Sequence, residues 1–127
     1  MTTGVLRYIS NELEKIGVPY EFGEWQSDVT YPYFVGDYTE VTPINEDGAE
    51  EKTFMLNGFI RNKSVLELEK VKEKIQQAFH SVGGKTAILG DGTGIAVFYS
   101  NAFYVPTNVE NLKRIQINLT IKIWKAR

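Results

Sequence analysis

From Arg114 to Trp124 the chain alternates without a fault: Ile115, Ile117, Leu119, Ile121 and Ile123 interleave with Arg114, Gln116, Asn118, Thr120, Lys122 and Trp124. A period of two over this length specifies a strand with one face in a core and the other wet or covered by a partner. Such a strand needs neighbours and a covering layer, so the rest of the chain must supply both. At 127 residues the sequence is sized for one domain, here taken as 1–127, and for a core that needs neither disulfide nor metal.

The covering layer is written in two amphipathic stretches. Val5, Leu6, Ile9, Leu13 and Ile16 fall at helical spacing, and Gly17 and Pro19 stop the run, which predicts a helix over about 3–16. Leu68, Val71, Ile75, Ala78 and Phe79 form the stripe of a second helix. Ser64 and Glu67 read as its capping box, Gly83-Gly84 as its end, and His80 as a group favoured near a helix C-terminus. Short extended segments are expected at Tyr20 to Trp25, Tyr33 to Val41, Lys52 to Arg61, Thr86 to Leu89 and Ile95 to Tyr99. The stretch from Asn101 to Leu112 reads as irregular. The expected architecture is α+β in the order α-β-β-β-α-β-β-β: a mainly antiparallel sheet with two helices packed on one face.

Several chemistries lack their residues. With no cysteine there is no disulfide framework, thiolate metal site or thiol nucleophile. His80 is the only histidine, so a paired-histidine metal site is impossible. Gly83-Gly84-Lys85-Thr86 resembles the end of a phosphate loop, but Phe79 stands where the earlier glycine belongs, and a strand follows in place of a helix. Gly90, Gly92 and Gly94 lie between two short strands and read as a turn. No catalytic set and no cofactor are expected. No apolar run approaches the roughly 20 residues of a membrane span, and no secretory leader is evident, so a soluble, cytosolic protein is expected.

The formal net charge is only −2, yet the charges are segregated. Asp37, Glu40, Glu46, Asp47, Glu50 and Glu51 are the only charges from 37 to 51, and from Lys113 to Arg127 every charge is basic, including Arg114 and Lys122. One reading is two solvated faces that differ by chance; the sharper one is complementary surfaces that meet between subunits. Tyr20, Phe22, Trp25, Tyr31, Tyr33 and Phe34 form an aromatic group whose sequence neighbours Glu21, Glu24 and Asp28 would repel phosphate. Trp25 and Tyr31, at the ends of a polar loop, suit a protein interface. With Trp124 on the outward face of the last strand, these residues form the candidate assembly surface.

Four stretches together carry a family resemblance. They are the helix ending at Gly17, Val18 to Val41 with Tyr31-Pro32-Tyr33-Phe34-Val35-Gly36 at its centre, Ser64 to Ile75, and Leu112 to Trp124. The chain resembles the tail terminator (tail-completion) proteins of long-tailed bacteriophages and prophages. The resemblance implies a ring, typically hexameric, that caps the tail tube and stops its polymerisation. It also implies that the ring joins tube to head connector, and that DNA passes through its lumen without specific binding. Such a protein would reside in the host cytoplasm during assembly and then in the virion tail. Another head–tail joining component and a small regulatory binding domain are the alternatives.

Overall fold

The structure, a computed structural model, describes residues 2–23, 30–39 and 48–125. Two helices, α1 (Thr3–Lys15) and α2 (Leu66–Ala78), accompany six strands. The strands are β1 (Tyr20–Phe22), β2 (Tyr33–Tyr38), β3 (Glu50–Arg61), β4 (Lys85–Ile88), β5 (Gly94–Val105) and β6 (Leu112–Trp124). They form one sheet in the spatial order β1-β2-β3-β6-β5-β4, which departs from chain order because β6 inserts beside β3.

The sheet is mixed, which corrects the antiparallel emphasis of the sequence reading. β1 runs parallel to β2, whereas the other four pairings are antiparallel. The central pair is β3 and β6, matched from Glu50 opposite Ile123 to Arg61 opposite Leu112. The alternating residues of β6 are all buried, as are Phe54, Leu56 and Ile60 of β3. They share one core cluster with Val5, Ile9 and Leu13 of α1 and Leu68, Val71 and Ile75 of α2, so both helices cover the same face.

The helix ends explain themselves locally. Thr2 caps α1 by accepting the Val5 N–H at 3.3 Å. At the other end Gly17 takes φ +80°, and the Gly17 and Val18 N–H groups reach back to the Glu14 and Leu13 carbonyls at 3.0 Å each. That pairing is the glycine stop expected from sequence. α2 starts differently from expectation. The Ser64 hydroxyl accepts the Leu66 N–H at 3.1 Å, Val65 holds the N-cap position without a side-chain bond, and Glu67 pairs forward with Lys70 at 3.8 Å. The helix also ends at Ala78, before the glycine pair, which leaves His80 exposed beyond it. Phe79 turns its fully buried ring into the core, and its carbonyl accepts the Tyr99 N–H at 3.0 Å.

β5 is the larger correction. It continues past Tyr99 to Val105 through a register shift between Tyr99 and Asn101, where the sequence reading placed irregular chain. One extra residue breaks the alternation on which that reading relied. Gly90 to Gly94 is the turn before β5: Asp91 accepts the Thr93 N–H at 3.0 Å, and Gly92 takes φ +89°. Among the described residues, no helix is long and apolar enough to cross a membrane.

Candidate assembly face

With both helices on one side, the other face of the sheet has no covering layer among the described residues. Strand register decides which side chains it displays. β3 contributes Glu51, Thr53, Met55, Asn57 and Phe59, and Arg61 ends the row. Opposite them on β6 stand Lys122, Thr120, Asn118, Gln116, Arg114 and Leu112. β2 adds Tyr33, Val35 and Asp37, and β5 adds Phe98, Asn101, Phe103 and Val105.

At one end of this face the rings stack in a row. Tyr31 tilts against Tyr33 with centroids 5.6 Å apart, and Tyr33 stacks on Phe59 at 5.1 Å. A guanidinium closes each end: Arg61 lies 5.8 Å from the Tyr31 centroid and Arg114 5.8 Å from that of Phe59. The Arg114 Nε and Nη2 groups both donate to the Asn57 Oδ1, at 3.1 and 2.8 Å. Neither guanidinium meets a carboxylate among the described residues. Contact with the rings and Asn57 fixes their direction without neutralising their charge, which leaves two oriented cations at one end of the sheet. The middle of the face is a row of amides, with Gln116 donating to Asn118 at 3.0 Å and Asn118 to Asn101 at 2.9 Å.

Level with this row, on β2, Asp37 is exposed and accepts the neighbouring Tyr38 N–H at 2.8 Å. The other end is acidic and basic together. Glu51 and Lys122 stand opposite each other across β3 and β6. Lys125 bonds Glu50 at 3.2 Å, so at these two places the acidic and basic segments meet within one chain. This narrows the sequence expectation of complementary surfaces between subunits: Glu50, Glu51 and Lys122 already have opposite charge beside them.

The structure thus brings Tyr31, Asp37, Glu51, Arg114, Lys122 and Trp124 to one face or its margin. Glu50 sits in register with Ile123, on the helix-covered side. Trp25, Glu40, Glu46 and Asp47 lie outside the described residues. Sequence reading missed Asn57, Phe59 and Arg61. Their alternation with Phe54, Leu56 and Ile60 marks them as outward, but only the register with β6 puts Arg114 beside them.

A groove of about 970 Å³ runs between α1 and the turn before β5, lined in part by Arg7, Tyr8, Asn11, Glu12, Lys15 and Asp91. Its most sheltered carboxylate, Glu12, accepts from Lys15 at 3.2 Å and from Lys85 at 3.1 Å. Burial pushes the Glu12 carboxyl up, but the two lysines outweigh it and hold it below the ordinary glutamate value. It therefore acts as an ionised tie between α1 and β4 and is poorly suited to donate a proton. Among the described residues no group of histidine and carboxylate side chains could hold a metal ion. No protein-family model matches the sequence, and no curated protein matches it.

Proposed function

We propose that this chain is a structural subunit that self-associates through the helix-free face of its sheet. Within that class, the best reading is a tail terminator of a long-tailed bacteriophage. The observation that carries the self-association is the pair of guanidinium groups, Arg61 and Arg114, fixed on the row of rings and meeting no carboxylate among the described residues. An oriented cation beside half-buried aromatic surface suits a protein partner that brings carboxylates. The exposed Asp37, at the β2 margin of the same face, offers one on each copy. Where Asp37 of one copy meets the guanidinium pair of the next without a reciprocal contact, the interface is head-to-tail, and such interfaces form rings when the rotation between copies closes. The family resemblance of the four sequence stretches supports the finer reading: a ring, typically hexameric, between tail tube and head connector, with DNA passing through it.

Native mass spectrometry over a concentration series, with negative-stain imaging of the same samples, tests the proposal. Closed rings that dissociate as salt rises are the expected result. A monomer at every concentration, alone and with tail-tube protein added, would overturn it and favour a small binding domain. Arg61→Glu with Arg114→Glu should abolish rings. Lys122→Glu should weaken them less, because Lys122 already faces Glu51 within its own chain.

A further inference from the structure

β5 is twelve residues long and follows β6 along its whole course, but its other edge is only partly covered. β4 pairs with Gly94 to Val97, and the Phe79 carbonyl takes the Tyr99 N–H. From Ser100 to Val105, no strand, loop or side chain among the described residues bonds that edge. Alternate peptide groups there have no bonding partner among the described residues, while beside them the Tyr104 hydroxyl donates to Glu69 of α2. Ser100, Asn101, Phe103 and Tyr104 are exposed, the last two at 45% and 41%.

Sheet edges are normally guarded by lysines, prolines, bulges or a covering loop, because an open edge is a template for another strand. Here the whole of Gly94–Val105 contains no charged residue and no proline, and its one irregularity, the unpaired Ser100 between Tyr99 and Asn101, falls at the first residue of the open stretch and leaves Asn101 to Val105 regular. We infer that the Ser100–Val105 edge is a strand-pairing site, and that its occupant is the same segment of a second copy, running antiparallel about a two-fold axis at Phe103.

The segment is its own complement. Pairing about Phe103 sets Asn101 opposite the partner subunit's Val105 and Phe103 against the partner subunit's Phe103, a cross-strand aromatic pair. No like charges meet, because none are present. The length also fits: β4 blocks the edge before Ser100, and Pro106, which has no N–H to offer, follows Val105. A foreign strand longer than this gap would run into β4. A two-fold contact closes as a dimer and cannot by itself build a ring, so this pairing is a different contact from the ring contact, although Phe103 and Val105 belong to the same sheet face and Val105 stands beside Arg114.

The chain has no cysteine, which makes single-cysteine variants clean reporters. Under mild oxidation, Phe103→Cys should form a disulfide-linked dimer with unchanged circular dichroism. Asn101→Cys alone should not, whereas Asn101→Cys mixed with Val105→Cys should cross-link. The wild-type chain should sediment as a dimer, and Phe103→Lys should stay folded and sediment as a monomer. Hydrogen exchange supplies a mutation-free measurement: amide protection at 100–105 should rise with protein concentration. A folded Phe103→Cys protein that fails to cross-link would overturn the inference. So would equal cross-linking of Asn101→Cys alone, or protection at 100–105 that ignores concentration.

Discussion

Gly58 has no room for a side chain: a Cβ there would lie 2.2 Å from the fully buried ring of Phe34, its neighbour on β2. Gly58→Ala should therefore lower stability by about 1–3 kcal/mol, read as a lower urea midpoint. A glycine inside a strand pattern points to a bulge or a close approach, but which ring approaches depends on the β2–β3 register. Tyr20 is a stranger residue. Its hydroxyl is buried without a hydrogen-bond partner among the described residues, and burial pushes the phenol well above its ordinary value of 10. Tyr20→Phe removes that unsatisfied group and should leave the melting temperature unchanged or raised. The pH dependence has a definite sign. The folded chain resists ionising this phenol, so stability is full below the ordinary tyrosine value and falls as pH rises through it towards the folded value. Tyr20→Phe should flatten part of that alkaline loss in melts between neutral and strongly basic pH.

β6 was readable because its side chains alternate without interruption, and α1 because both its periodicity and its stop are local. β5 was half lost because the shift after Tyr99 changes which side chains face the core, so a fixed period of two fails there. The start of α2 went astray for a related reason. Ser64 and Glu67 have the right spacing for a capping box, yet Asn62 accepts the Ser64 N–H at 3.1 Å and the chain enters the helix through a tighter polar turn. Contacts between elements are less visible still, as Glu12 illustrates. From sequence it is one more polar residue on α1, and only folding brings Lys85 of β4 within 3.1 Å. Lys85 is substantially exposed, so Glu12→Gln should cost no more than about 1 kcal/mol at neutral pH. The Glu12 carboxyl is held below its ordinary value, so its contribution is present above that value and lost as pH falls through the folded one. Thermal melts of wild type and Glu12→Gln should therefore differ at neutral pH and converge in acid.

The molecule is two runs of helix and three strands, joined edge to edge where β3 meets β6. That join governs how much of the assembly face sequence could reveal. Outward positions on each strand follow from alternation, but the meeting of Arg114 with Phe59, or of Lys122 with Glu51, spans more than fifty residues and follows only from long-range register. The two surfaces should separate experimentally. Arg61→Glu with Arg114→Glu should remove salt-sensitive rings while sparing Phe103→Cys cross-linking, and Phe103→Lys should do the reverse, as native mass spectra and gels would record. The central place of β6 also has a temporal meaning. A ribosome that has released the chain only as far as residue 111 has delivered five strands, but not the one that lies between β3 and β5. Until β6 arrives, the nascent chain holds two half-sheets whose inner margins, with Phe54 and Leu56 on one and Val97 on the other, are open to any passing strand. The wait for β6 is thus a hazardous interval in the synthesis of this sheet, and a chaperone that shields extended apolar segments would act there.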